Sequence, residues 1–229
     1  MYKVIRFLDG GPVTAREALP SRWAGVLAAG VGRPPVPGQP WRVALGLPLA
    51  LDDLPPPPFA AVDVQWFPDL DAALANDAWL AAADPDLHAG SCHVVAEEVV
   101  VRGRDYLDGR WATGGERYKM LSFGKRDRQL DLEQFSARWR GEAGRLGTDA
   151  IPDEVRGLAY AQNHPLPRAG HEWPFDAVAE VWFERLDDLE RRRAWFAARL
   201  GAAGPSPTAG FMSPAETWSM FVREAPIVS

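Results

Sequence analysis

Three residues in the second half of the sequence, His164, Asp176 and Glu180, have side chains that can transfer protons. His164 follows a short apolar segment in the run QNHP, and a neutral imidazole near pH 7 can accept or donate a proton. Asp176 and Glu180 share one face of a strand predicted over FDAVAEVWF, where burial could raise a carboxyl pKa into the range of acid–base catalysis. The pattern predicts an acid–base site in this half of the chain.

These residues also have a structural interpretation. His164 could be a loop histidine that hydrogen-bonds the proline-rich segment after it. Glu180 could form an ion pair with an arginine, such as Arg140 or Arg223, and keep the core in register. The sequence alone leaves both alternatives open.

Polar and aromatic side chains on the same predicted strands could orient a ligand. Hydroxyl and amide groups suit hydrogen bonds to a phenol or a carbonyl, and a tryptophan ring suits packing against a flat apolar molecule. The candidate ligand contacts are Tyr118, Ser122, Tyr160, Gln162, Asn163 and Trp182. The alternative is that the polar groups are satisfied within the fold and that the tryptophans belong to the core.

Composition argues against several other functions. The formal net charge of -6 provides no basic field for nucleic acid, and one cysteine with four histidines leaves few metal ligands. No phosphate-binding loop or dinucleotide-binding motif occurs, so we predict no metal, no cofactor and no nucleic-acid partner. The N-terminal segment lacks the apolar core of a signal peptide, and no run of about 18 apolar residues occurs. We therefore expect no membrane partner and a cytoplasmic location.

An internal repeat organises the elements that position these residues. The segment MYKVIRFLDG at residue 1 aligns with RYKMLSFGKR at residue 117, and the same shift persists over about seventy residues. The matched aromatic positions are Trp23 with Trp139, Phe59 with Phe175, Trp66 with Trp182 and Phe67 with Phe183. A duplication is the simplest explanation, with copies at residues 1–115 and 116–229.

Each copy has the pattern strand, helix, strand, strand, helix, strand. This order is the ferredoxin-like βαββαβ unit, an α+β fold with two helices on one face of a four-stranded antiparallel sheet. Because an uncovered apolar sheet face favours association, we predict that the two copies pack sheet to sheet as an intramolecular barrel. Tyr118 and Ser122 are then expected to face the barrel, with Glu180 inside it and His164 at its mouth.

Four segments in order, RYKMLSFGKR, EQFSARWRGE, GLAYAQNHP and WPFDAVAEVWF, resemble the EthD family of the dimeric α/β barrel superfamily. The resemblance covers most of the second copy and is weak in the first. It implies ferredoxin-like units that associate into a barrel, and members range from a protein linked to ether degradation to dehydratases and decarboxylases of aromatic polyketides. The chain departs from the family at Ala143, where members usually carry histidine.

These observations lead to two main functional hypotheses. The first is a cofactor-independent lyase, dehydratase or cyclase that acts on a hydrophobic, aromatic or polyketide-like molecule in the barrel, with the ligand nearer the second copy. The second is a non-catalytic small-molecule-binding or assembly module. Haem binding through His164, which superfamily neighbours suggest, ranks third. Pairing of two such chains as a homodimer is a further expectation.

Overall fold

The strands of the two halves close into one barrel surrounded by helices. The computed structural model describes residues 1–9, 13–28, 37–51, 56–141, 145–146, 149–167, 172–200 and 211–228. The elements in chain order are β1 (Tyr2–Leu8), α1 (Val13–Ala28), β2 (Arg42–Pro48), β3 (Ala61–Phe67), α2 (Leu70–Ala83), α3 (Pro85–Ala89), β4 (Ser91–Arg102), α4 (Arg104–Thr113), β5 (Arg117–Arg126), α5 (Leu132–Gly141), β6 (Arg145–Leu146), β7 (Asp149–Ala150), β8 (Ala159–Pro165), β9 (Ala177–Phe183), α6 (Leu186–Leu200) and β10 (Met212–Val228).

The barrel contains eight antiparallel strands in the order β1-β3-β2-β10-β5-β9-β8-β4. The first half supplies four adjacent strands and the second half supplies the other four. The halves are hydrogen-bonded to each other along two seams, β2 with β10 and β4 with β8. The sheets therefore join at their edges as well as facing each other, because this pairing satisfies the backbone groups that an edge strand would leave free.

The side of each strand that faces the barrel differs from the sequence prediction. Leu121 and Phe123 of β5 point inward and belong to the same core cluster as Phe7. Tyr118 lies on the opposite, helix-facing side, where it packs in a cluster with Leu189 of α6. The prediction that Tyr118 and Ser122 face the barrel is thus wrong, because the more apolar strand face is buried between the two halves and the mixed face points outward, toward α6 at Tyr118 and toward the surface at Ser122.

Two further features position the interior residues. The run Asp131-Leu-Glu-Gln134 has the sequence spacing of a capping box, and this motif forms at the start of α5, with Gln134 N donating to Asp131 Oδ1 at 2.8 Å and Asp131 N donating to Gln134 Oε1 at 3.1 Å. Helix α4, which the sequence did not predict, follows Gly103, whose φ of 77° is the left-handed conformation that glycine adopts most readily. This helix delivers Arg110 to one end of the barrel.

Three sequence features lie outside the described residues: Ala143, the turn signal Gly10-Gly11-Pro12, and most of the segment 201–214, whose Gly, Pro, Ala and Ser content predicts a loop. The run Thr14-Ala-Arg-Glu17 has the spacing of a capping box, and its side chains lie outside the described residues as well. No helix within the described ranges is both long enough and apolar enough to cross a membrane.

Candidate functional site

Glu180 lies inside the barrel in a fully buried ion pair with two lysines. Its Oε2 accepts a hydrogen bond from Lys3 Nζ at 2.5 Å, and its Oε1 accepts one from Lys119 Nζ at 2.8 Å. Asn163 Nδ2 also donates to Oε2 at 2.9 Å. Glu180 therefore pairs with a lysine from each half of the chain rather than with either arginine considered from the sequence.

This ion pair is the centre of a longer chain of alternating charges. Lys3 also contacts Glu98 at 2.7 Å, Lys119 also contacts Glu224, and Arg110 of α4 closes the series with Glu224 at 2.5 Å. The three cations and three carboxylates balance, and their side chains are at most 6% exposed. Buried charges are tolerated when they are paired in this way.

The ionic chain keeps Glu180 ionised. Burial raises the pKa of the Glu180 carboxyl, but the charges of Lys119 and Lys3 outweigh burial and hold that pKa well below its usual range. A carboxylate in this state cannot exchange protons near neutral pH. The geometry thus favours the structural interpretation of Glu180.

Trp182 and Asn163 are also part of this interior. Trp182 Nε1 donates to Glu224 Oε1 at 3.1 Å, and its ring lies 5.4 Å from Lys119 Nζ and 5.6 Å from Lys3 Nζ. Asn163 Nδ2 donates to the carbonyl of Val178 in addition to Glu180. Both predicted ligand contacts are therefore engaged in holding the barrel together.

Side chains occupy the other end of the barrel as well. The rings of Phe7, Phe59, Phe123 and Phe175 form a cluster with centroid separations of 4.8 to 6.1 Å. At the ionic end, the space bordered by Trp66, Trp182 and α4 measures about 20 Å³, which is too small for an organic ligand. The interior therefore gives little support to the predicted ligand position inside the barrel.

Asp176 is held by an arginine at the start of β9. Its Oδ1 accepts from the Arg126 guanidinium at 2.6 Å, and its Oδ2 accepts from the Arg126 backbone N–H at 3.0 Å. Asp176 N in turn donates to the carbonyl of Gly124. The Asp176 carboxylate therefore links the start of β9 to β5 through Arg126. It is separate from the hydrogen bonds that surround Glu180.

The helix-facing side of β8 brings three predicted site residues together. His164 Nε2 lies 3.2 Å from Gln162 Oε1, and Gln162 Nε2 donates to Tyr160 Oη at 3.1 Å and to the carbonyl of Trp139 at 2.9 Å. The Trp139 ring of α5 covers the imidazole at a centroid distance of 4.6 Å. His164 thus lies under α5 instead of at the barrel mouth, because alternation along β8 places it on the outer face with Tyr160 and Gln162.

Burial shifts the pKa values of His164 and Tyr160, two members of this hydrogen-bonded row on β8. It lowers the pKa of His164 to about 4, with the nearby positive charge of Arg140 acting in the same direction. Burial also raises the pKa of Tyr160 above its ordinary value. His164 is 3% exposed, and its Nδ1 has no hydrogen-bond partner within the part of the chain that the structure describes. A neutral imidazole with a vacant acceptor atom is therefore buried between β8 and α5.

The remaining predicted contacts, Tyr118 and Ser122, lie elsewhere. Tyr118 packs with Leu189 and Phe221, and Ser122 Oγ lies 3.2 Å from Ser219 Oγ on the exposed side of the β5–β10 pair.

A half-open groove of about 860 Å³ follows β10 along the seam between the halves. Its walls are formed by 49–51, 56–58 and 217–221, and the lining is mainly apolar.

Neither lysine of the interior was among the residues predicted from the sequence, although the sequence contains a signal for them. Lys3 and Lys119 occupy the same position of the repeat, each between aliphatic or aromatic residues of a first strand. A lysine repeated within two otherwise buried strands indicates an interior charge that needs a carboxylate partner. Trp66 and Trp182 are matched in the same way and both lie beside Lys3.

Another buried carboxyl lies on the helix-facing side of the first half. Asp63 of β3 is fully buried, and its Oδ1 accepts from Gln65 Nε2 at 2.6 Å. Gln65 Oε1 accepts from Asn76 Nδ2 of α2, and Asn76 Oδ1 accepts from Arg6. Burial raises the pKa of Asp63 to about 7, against the opposing charge of Arg6.

We expect Asp63→Asn to stabilise the protein at pH 8 and to change little at pH 4. An unfolded aspartate has a pKa of about 3.9, so the folded state, with a pKa of about 7, holds its proton more tightly. Stability is then lost as the pH rises from about 4 to 7, by roughly 1 to 4 kcal/mol. Urea unfolding at several pH values measures this, and equal effects of the substitution at pH 4 and pH 8 would contradict the assignment.

Comparisons with known proteins leave the family open. No protein-family model matches the chain, and no curated protein matches it in sequence. A mutant chlorite dismutase from Candidatus Nitrospira defluvii, solved with cyanide, is similar in structure with a TM-score of 0.45 at 12% identity, over 99% of this chain and 91% of that one. A candidate monooxygenase from Fusobacterium nucleatum subsp. nucleatum has a TM-score of 0.45 at 9% identity, over 98% of this chain and 91% of that one. Similarity at this level carries no argument about chemistry.

Proposed function

We propose that the protein is a cofactor-independent lyase, dehydratase or cyclase that acts on a hydrophobic, aromatic or polyketide-like small molecule beside His164. The observation that carries this proposal is the buried imidazole under α5, with Nε2 engaged by Gln162 and Nδ1 without a partner among the described residues. Its surroundings, Trp139 and Tyr160, offer aromatic surface and one hydroxyl. Asp176 and Glu180, which are already ion-paired, have no part in the proposed chemistry.

A dehydration illustrates the chemistry that these groups support. His164 Nδ1 removes a proton from the carbon next to a carbonyl of the substrate. The same imidazolium then returns that proton to the departing hydroxyl group, so a C–H and a C–O bond break, a C=C bond forms and water leaves. Low dielectric in a buried layer strengthens the hydrogen bonds that guide such a step.

We also propose that the two halves are ferredoxin-like units, residues 1–115 and 116–229, that arose by duplication and are related to the EthD family. In support, the series β1, α1, β2, β3, α2, β4 of the first half recurs in order as β5, α5, β8, β9, α6, β10 in the second, and corresponding strands have corresponding neighbours within the barrel. The repeat at a shift of 116 residues and the order of the four motifs in the second half point the same way.

The second candidate function is non-catalytic binding of a small molecule, favoured by the groove along the seam. Its volume of about 860 Å³ lies within the range typical of ligand sites, roughly 300 to 1,000 Å³. Trp218, which is 39% exposed, offers a ring face there, and Thr217 and Ser219 offer hydroxyls. The two candidates differ in the place where a ligand binds.

Incubation with a panel of aromatic β-hydroxy ketones tests the first candidate. Mass spectrometry should show the loss of one water per molecule with the wild-type protein, and little loss with His164→Ala. The compounds of the panel could instead raise the melting temperature of the protein, which shows binding, and be recovered chemically unchanged. That result would contradict the catalytic proposal and favour the binding module. Light scattering of the same preparations measures whether two chains pair as a homodimer.

A further inference from the structure

The hydrogen bonds of Gln162 determine the orientation of its side-chain amide. One end of this amide lies 2.9 Å from the backbone carbonyl of Trp139, in the last turn of α5. A carbonyl oxygen can only accept, so the Gln162 atom that faces it must be the nitrogen. The oxygen of the amide therefore faces His164.

The same reasoning determines the tautomer of His164. Gln162 Oε1 can only accept, and it lies 3.2 Å from His164 Nε2. The hydrogen of the neutral ring must then be on Nε2, which leaves Nδ1 as a lone pair. That lone pair is buried, because the residue is 3% exposed and Nδ1 itself is inaccessible to solvent.

We propose that Gln162 is a positioning residue that locks His164 in the Nε2–H tautomer, and that the ligand of this site presents an O–H or N–H group to Nδ1. The inference rests on the proposed function, since it takes the region around His164, between β8 and α5, as the ligand site. A buried acceptor without a partner is unfavourable, and a hydroxyl or amide N–H of a ligand relieves that cost. A carboxylate brings only acceptor atoms and is repelled by the lone pair, so the site discriminates phenols, enols and alcohols from carboxylates.

The charge state of the ring is consistent with this assignment. Burial, and secondarily the charge of Arg140, lower the pKa of His164 to about 4. The ring therefore remains neutral throughout the physiological pH range. A single tautomer can be held only while the ring is neutral, because both nitrogens carry hydrogen in the imidazolium.

Nitrogen-15 NMR of histidine-labelled protein tests the tautomer directly. The His164 resonances are assigned by their absence in His164→Gln. In the wild-type protein we expect a protonated Nε2 and an unprotonated Nδ1 from pH 8 down to about pH 5. Gln162→Leu should lose the single tautomer, because leucine offers no acceptor to Nε2–H.

Tyr160→Phe is the matched control. It removes the hydroxyl next to Gln162 Nε2 but leaves the Trp139 carbonyl, so the amide orientation and the tautomer should not change. An Nδ1–H tautomer in the wild-type protein, or an unchanged tautomer in Gln162→Leu, would overturn the positioning role. Either result leaves the effect of His164→Ala on turnover unaffected, so this inference and the proposed function fail separately.

A pair of flat probes tests the ligand class in the same spectra. We expect 2-naphthol to shift the Nδ1 resonance of His164 and 2-naphthoate to leave it in place. A shift with 2-naphthoate alone, or no shift with 2-naphthol at millimolar concentration, would overturn the assignment of a hydrogen-bond-donating ligand.

Discussion

Glu180→Gln should lower the free energy of unfolding by about 3 to 5 kcal/mol, as is typical when one member of a buried ion pair is removed. The reason is the geometry of the barrel interior, where Glu180 neutralises Lys3 at 2.5 Å and Lys119 at 2.8 Å. With a glutamine in its place, the network holds three cations and two carboxylates, and one charge is buried without compensation. For a chain of this size the melting temperature should fall by roughly 6 to 20 °C.

Arg185→Gln is the control for this experiment. Arg185 pairs with Asp187 at 3.1 Å on the surface, with more than 60% of each side chain exposed. Exposed pairs contribute about 1 kcal/mol or less, so this variant should melt close to the wild type. If Glu180→Gln retained full stability while losing turnover, Glu180 would be a catalytic group and the structural assignment would be wrong.

His164→Ala should reduce turnover of the substrate by about 10²- to 10⁴-fold, the range that general acid–base catalysis typically contributes. Because the ring is buried against Trp139 at 4.6 Å, the substitution should also lower stability by roughly 1 to 3 kcal/mol through loss of packing. As the pH is lowered, turnover by the wild-type protein should persist until His164 is protonated, near its pKa of about 4.

Val43→Ala separates the loss of packing from the loss of chemistry. Val43 lies in the first half of the chain, whereas His164 lies in the second. It is fully buried on the helix-facing side of β2, in a cluster with Trp23. This variant should lose a similar amount of stability and keep its turnover. Equal loss of turnover in both variants would mean that His164 acts only through stability.

The strands were predictable from local sequence, whereas the side that each strand presents to the barrel was not. The strand predicted over FDAVAEVWF contains β9, Ala177–Phe183. On β5, Leu121 and Phe123 alternate with Tyr118 and Ser122, so the two faces are distinguishable in the sequence, but alternation does not say which of them lines the barrel. Tyr118 was assigned to the wrong side because polar groups were expected to line a ligand cavity, whereas the face that lines this barrel is the apolar one.

The residues of the candidate site were predictable from the sequence, but the contacts between them were not. Tyr160, Gln162 and His164 were selected from residue type and spacing, and the structure joins them in one hydrogen-bonded row. Their contact with Trp139 depends on how α5 packs, which local sequence does not specify. The pairing of Lys3 with Glu180 spans 177 positions and likewise depends on closure of the barrel.

A crystal structure of the protein soaked with 2-naphthol shows where a ligand binds. We predict density between β8 and α5, with the naphthol hydroxyl within hydrogen-bond distance of His164 Nδ1 and the interior ion pairs of Lys3 and Lys119 unchanged. Density only in the groove beside Trp218, or inside the barrel next to Glu180, would contradict this prediction.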